Sequence, residues 1–160
     1  MATDKHVLFV CTGNTCRSPM AEGLFRQAVA DRSDFEVSSA GVSANRGTPA
    51  SRETLAILKT RGAGLSGFAS RRVTKELLDK ATHIFAMTRS HLQALETMFP
   101  EYSDKYYLTC EFVDIPGEGI GADVFDPIGM GKRAYEEVAG VFELAIPSII
   151  AYIDRTTKGA

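Results

Sequence analysis

The sequence predicts an α/β fold, three-layer α/β/α with a central, mainly parallel four-stranded sheet, and three observations point to it. Short apolar runs alternate with longer stretches of helical periodicity along the whole chain, the pattern of strand–helix–strand units feeding a parallel sheet. The first run, Val7-Leu8-Phe9-Val10, is continuously apolar, as a strand covered on both faces must be. No repeat, low-complexity tract or linker interrupts the alternation, and 160 residues with 44% hydrophobic and 24% charged content fit one domain over 1–160 with a sizeable core.

Each element has its own signal. After the first strand, Ser18-Pro19 is a helix start, with serine free to cap and proline losing nothing in the first turn. Ala21, Leu24, Phe25, Ala28 and Val29 then recur at helical spacing and form the face turned to the sheet. Phe35 to Ser39 is the second strand, ending at Ala40-Gly41. Thr48-Pro49 repeats the cap-then-proline signal; Leu55, Ala56, Ile57 and Leu58 supply the core face of the second helix and Gly62 ends it. Arg71-Arg72 reads as a solvated turn, after which Thr74 caps a short helix through Leu77 and Leu78. His83 to Met87 is the third strand and Thr88 caps a helix that must stop by Pro100. Tyr106-Tyr107-Leu108 is the fourth strand, and Phe112 to Ile115 extends it irregularly. The last helix runs from Lys132 to about Ile153 on a stripe of Tyr135, Val138, Val141, Phe142 and Ala145, and Pro147 within it predicts a kink or a split.

The chemistry is concentrated where the first strand meets the first helix. Cys11 and Arg17 bracket Thr12, Gly13, Asn14, Thr15 and Cys16, and Ser18 opens the helix. A loop of that length at a strand's carboxyl end can curl its amides around one tetrahedral oxyanion, aided by the positive end of the helix dipole. Arg17 can close the ring with a bidentate fork. The same field stabilises a thiolate, which makes Cys11 a nucleophile near neutral pH. Gly13 and Asn14 suit the left-handed backbone so tight a ring requires. Thr12, Gly13, Asn14, Thr15, Cys16 and Ser18 are therefore expected to bind the anion, as a phosphate-binding loop after the first strand. A Walker loop is excluded, since Arg17-Ser18 stands where Gly-Lys-Ser/Thr would be needed. A zinc site from Cys11 and Cys16 lacks a second Cys or His pair at ligand spacing.

Cys11 to Ser18 followed by Pro19-Met20-Ala21-Glu22 resembles the signature of the low-molecular-weight protein tyrosine phosphatase family, and Asp126-Pro127 resembles its general-acid loop. The likeness runs from about Lys5 to the last helix. It implies two-step phosphoryl transfer in which Cys11 attacks phosphorus, Arg17 and the amides hold the equatorial oxygens, and Asp126 is acid and then base. Asp126 lies in a glycine-rich loop from Pro116 to Gly131, where Phe125 and Ile128 are placed to desolvate it; Asp123 is the fallback acid. Ser39 matches a position that supports the loop in the family. A histidine that braces it in many members has no counterpart near Phe68: either the alignment slips there or another group braces the loop.

Substrate class turns on Thr15. Members that act on phosphotyrosine usually carry a bulky aliphatic residue there, and threonine resembles the bacterial protein arginine phosphatase branch. Thr88 in place of an acidic residue, and Ile128-Gly129 in place of tyrosines after Asp126-Pro127, depart in the same direction. The expected activity is hydrolysis of phosphoarginine on a phosphorylated protein substrate, with phosphotyrosine as the enzymatic alternative and a non-catalytic phospho-residue reader as the alternative of a different class. A thioredoxin-coupled arsenate reductase would need a further pair of redox cysteines, and only Cys110 is available. No metal or cofactor is expected.

A net charge of −2 gives no general attraction to nucleic acid or to an acidic membrane surface. Three cysteines, an odd number, and an apolar N-terminal run too short for a signal peptide or a membrane span lead to a cytoplasmic expectation. Cys110 reads as a buried structural thiol, and Cys16 lies close enough in sequence to Cys11 for a reversible disulfide. His83 and His91 read as bystanders.

Overall fold

A computed structural model of the protein describes residues 4–157. In chain order its elements are β1 (Lys5–Cys11), α1 (Arg17–Ala28), β2 (Phe35–Gly41), α2 (Arg52–Thr60), α3 (Lys75–Lys80), β3 (His83–Ala86), α4 (Arg89–Met98), β4 (Tyr106–Leu108), β5 (Asp114–Ile115), β6 (Gly119–Ile120) and α5 (Lys132–Thr157). A short 3-10 turn, Pro100–Lys105, joins α4 to β4. Strands β2-β1-β3-β4 form a sheet in that order, and all three pairings are parallel. The pair β5–β6 is a separate antiparallel ribbon at the entrance to the glycine-rich segment, so Phe112 to Ile115 does not extend β4 but turns away from it into β5.

The sheet order places β1 in the interior of the sheet, which is why its sequence is apolar on both faces. Val7 and Phe9 join a core with α1, α2 and α5. Leu8 and Val10, pointing the other way as alternate strand residues must, join a second core with Leu78 of α3 and Leu95 of α4. Three layers result. Phe9 stacks edge-on with Phe25 of α1 and lies against Phe85 of β3. Burying each such ring contributes about 1.5–3 kcal/mol, so the strand that carries the loop is firmly held.

Several sequence expectations shift. Helix α1 begins one residue before Ser18, with Cys16 at the cap position and no side-chain cap, because the Ser18 hydroxyl is engaged with Cys11. Ala28 lies exposed while Val29 is buried. Helix α2 starts at Arg52, not at Thr48-Pro49: Thr48 is bonded through both backbone groups to Ser70, and Ser51 caps the helix by accepting from the Thr54 amide. Its buried face is Thr54, Ile57 and Leu58, with Leu55 and Ala56 outward. Helix α5 passes through Pro147 as one element to Thr157. Buried Ala145, Ile146 and Ile149 hold both sides of the proline against the core, and the Ser148 hydroxyl donates to the Ala145 carbonyl. Thr74 and Thr88 cap α3 and α4 as expected, and Cys110 is fully buried, which pushes its thiol up to about 11. Among the described residues no helix is long and apolar enough to cross a membrane.

Candidate active site

Strand β1 ends at Cys11 and α1 starts at Arg17, so the loop between them lies at the carboxyl edge of the sheet. Asn14 is the residue that bends it, with φ 57 in the left-handed region that asparagine tolerates better than other residues with a Cβ. Its side chain is fully buried and satisfied in every direction. Nδ2 donates to Ser18 Oγ at 2.8 Å and to Ser39 Oγ at 2.9 Å, and Oδ1 accepts from the Arg71 amide at 3.0 Å. Arg71 Nε donates to the Ser39 carbonyl at 3.1 Å. Ser39 Oγ passes its own hydrogen to Glu22 Oε1 at 2.6 Å, and Glu22 pairs with Arg26 at 2.8 Å. Buried polar groups left unpaired are costly, and this network leaves none.

Gly41 closes the underside. A Cβ there would collide with the Thr12 carbonyl oxygen and lie 3.0 Å from the Asn14 nitrogen, so only glycine lets β2 pass beneath the loop. On the far side the Ser51 amide donates to the Thr15 carbonyl and Thr54 Oγ1 donates to the Cys16 carbonyl at 3.1 Å. Carbonyls are thus drawn outward. The amides of Gly13, Thr15, Cys16, Arg17 and Ser18 have no acceptor among the described residues, and they ring the loop as donors for an anion.

Cys11 Sγ sits at the base of this ring. Ser18 Oγ lies 2.9 Å away; since that oxygen already accepts from Asn14, its hydrogen is directed to the sulfur. The Asn14 amide donates to the same sulfur at 3.3 Å. Two donors and the helix terminus thus converge on the sulfur. Above it opens a cavity of about 170 Å³ lined by Cys11, Thr12, Gly13, Thr15, Cys16, Arg17, Asp126 and Ile128. The buried Arg17 guanidinium donates to the Val124 carbonyl at 2.8 Å and lies 3.8 Å from Asp126 Oδ2. One arginine thereby ties the glycine-rich segment to the cradle.

The family model for "Low molecular weight phosphotyrosine protein phosphatase" matches residues 6–158, nearly the whole chain. The chain belongs to that family. Among curated relatives, a protein-arginine-phosphatase of Geobacillus stearothermophilus is 39% identical over 140 residues, 88% of this chain and 90% of the relative. Among solved structures, a low molecular weight protein tyrosine phosphatase from T. tengcongensis superposes with TM-score 0.84 at 42% identity, covering 92% of this chain and 99% of that one. The YwlE arginine phosphatase, in a Cys-to-Ser mutant with a phosphorylated active-site serine, superposes with TM-score 0.83 at 31% identity over 93% of this chain and 95% of that one.

Within this phosphatase fold, seven of the nine expected site residues line the cavity: Cys11, Thr12, Gly13, Thr15, Cys16 and Arg17 together, and Asp126 across from them. Asn14 and Ser18 lie beneath it instead, their side chains occupied by the bracing network. The Asp126 environment departs from expectation. Phe125 packs toward the core and Ile128 is exposed, so neither encloses the carboxylate, which is about half exposed, at 49%. Asp126 Oδ1 accepts instead from the Ile128 amide at 3.1 Å. Asp123 is elsewhere, accepting from the Arg89 amide at the start of α4. Cys11, Cys16 and Cys110 are free thiols, and Cys16 Sγ meets the Tyr135 hydroxyl at 3.3 Å.

Two participants escaped the sequence reading. Arg71 braces the loop through its amide to Asn14 and its Nε to the Ser39 carbonyl, and only the fold, which brings residue 71 to residue 14, reveals it. His91 is not a bystander: its Nε2 lies 2.7 Å from Thr12 Oγ1 on the loop. Its placement three residues after the Thr88 cap, on the first turn of a helix following a parallel strand, was the one available clue. His83 does stay away from the site, stacked on Phe85 and Tyr107.

Proposed function

We propose that this chain is a cysteine-dependent protein phosphatase that hydrolyses phosphoarginine on proteins through a thiophosphate intermediate. Cys11 Sγ attacks phosphorus in line while the phosphorus–nitrogen bond breaks, and Asp126, as the acid, gives its proton to the leaving guanidine nitrogen. The amides and Arg17 hold the three equatorial oxygens. Water then attacks phosphorus, the sulfur–phosphorus bond breaks back to the thiolate, and the Asp126 carboxylate takes the water's proton, releasing inorganic phosphate. The phosphorylated serine in the mutant YwlE arginine phosphatase supports a phosphoryl group carried by the residue in the position of Cys11. Three free thiols support work in a reducing, cytoplasmic setting.

The observation that carries the substrate class is the composition of the cavity lining: it contains no aromatic residue, and Thr15 is part of its wall. The only partner of Thr15 Oγ1 among the described residues is the weakly accepting Cys16 sulfur, 3.8 Å away, which leaves the hydroxyl for a polar guanidinium. A phenyl ring would find a hydroxyl where it needs apolar contact. The competing reading, phosphotyrosine hydrolysis, draws on the higher identity to the T. tengcongensis structure.

Paired kinetics on phosphoarginine and phosphotyrosine peptides separate the two. The expected result is a higher kcat/KM on phosphoarginine, and a preference for phosphotyrosine would sink the assignment. Thr15→Ile should lower kcat/KM on phosphoarginine about tenfold or more while changing an aryl phosphate less, as one polar contact in a pocket wall predicts. Equal losses on both would contradict the role given to Thr15. A wild-type protein that binds an aryl phosphate without releasing phosphate would make the fold a reader and not an enzyme.

A further inference from the structure

Thr12, the second residue of the loop, is exposed on the cavity lining, and its hydroxyl meets a buried histidine ring from α4. That ring is held at both nitrogens. Nε2 lies 2.7 Å from Thr12 Oγ1 and Nδ1 lies 3.2 Å from Thr88 Oγ1. The charged groups that act on it are Arg17 from α1 and Asp123 and Asp126 from the glycine-rich segment. Burial, with the Arg17 cation adding to it, pushes the ring down to about 4. His91 is therefore neutral near physiological pH and carries one N–H.

Hydrogen-bond accounting decides which nitrogen carries it. Thr88 Oγ1 accepts from the His91 amide at 3.1 Å, as an N-cap does. Its own hydrogen has one acceptor in reach among the described residues, His91 Nδ1. Nδ1 then accepts, the proton sits on Nε2, and Nε2–H donates to Thr12 Oγ1. A hydroxyl oxygen that accepts on one side turns its hydrogen to the other, here toward the cavity.

We infer that His91 is a positioning residue that fixes the Thr12 hydroxyl as a hydrogen-bond donor to an equatorial oxygen of the bound phosphoryl group. Without it the hydroxyl is a rotor that can also present its lone pairs to the anion. With it, the ring of amides gains one more preorganised donor where charge develops. The inference rests on the cradle reading of the loop, but it is indifferent to whether phosphoarginine or phosphotyrosine is the natural substrate.

Nitrogen-15 spectra of the wild-type protein near neutral pH read the tautomer without any turnover. The expected result is a protonated Nε2 and a bare Nδ1 for His91, with the Nε2 signal moving when inorganic phosphate saturates the site. Protonation at Nδ1 overturns the inference even if the phosphatase reading stands, and loss of all phosphatase activity would leave the tautomer test intact. Kinetics on an aryl phosphate supply the second arm. Thr12→Val should lower kcat/KM about tenfold to a hundredfold, the range for a hydrogen bond to a charged group, with the loss mainly in kcat. Thr12→Ser should restore most of it, and adding His91→Phe to Thr12→Val should bring no further loss. Wild-type kcat/KM in Thr12→Val, or losses that multiply in the double variant, would refute the coupling. If His91→Phe does not fold, His91→Gln, whose amide can donate in place of Nε2, must keep activity closer to wild type than Thr12→Val does; a Gln variant as impaired as Thr12→Val refutes the inference.

Discussion

Asn14 concentrates three jobs in one side chain: it adopts φ 57, aims Ser18 at the Cys11 sulfur and gives the Arg71 amide its acceptor. Asn14→Ala should cost about 3 kcal/mol, from a left-handed alanine and an unpaired buried amide, and should slow turnover together with stability. Urea unfolding checks this, and an unchanged midpoint would mean the network is decorative. Gly41→Ala should cost about 2 kcal/mol by overpacking, because the new Cβ meets loop backbone and Ala44 Cβ. Cys11 and Arg17 were legible in the sequence because they share a short motif with a chemical reading of its own, and Asp126 through its likeness to a general-acid loop. The braces were not, because Asn14 reaches Ser39 across 25 residues and Arg71 across 57, and no local pattern records such a meeting. Ser39 is legible only through a likeness, and His91 carries no motif of its own.

Helix α2 illustrates how a misplaced boundary can hide a functional contact. The proline signal at Thr48-Pro49 drew the expected start three residues early, whereas the true cap, Ser51, both begins the helix and holds the Thr15 carbonyl through its amide. Ser51→Ala should lower stability by about 1 kcal/mol, the usual value of such a cap, and a thermal midpoint equal to wild type would show that the cap contributes nothing. The four strands of the main sheet and their parallel direction were well foreshadowed, since apolar runs in an α/β pattern leave few arrangements; their order was not. The path through Pro147 was not, because helix propensity is local whereas buried residues on both sides of the proline decide that α5 continues.

Acid should unfold the protein in two stages. All three histidines of the chain are buried and held below their ordinary 6.5, mainly by loss of hydration. The unfolded chain therefore takes up their protons first, and stability falls as pH drops below 6.5 until each folded-state value is passed. For His91 that window runs from 6.5 to about 4, at up to about 1.4 kcal/mol per pH unit. Asp34 and Asp154, hydrogen-bonded by Arg32, are held below the usual carboxylate range. Their contribution is complete above that range and is lost as pH falls through it, a second and shallower stage because both side chains are partly exposed. Chemical denaturation between pH 7 and 5 should show the first stage; a flat midpoint there would contradict buried neutral histidines. The bracing bonds beneath the loop involve Asn14, Ser18, Ser39 and Arg71 and neither Thr15 nor Ile128 at its mouth. The braces beneath the loop would therefore survive a change of side chain at the entrance, so that selectivity could be altered without disturbing the cradle, in keeping with arginine- and tyrosine-named relatives sharing one backbone.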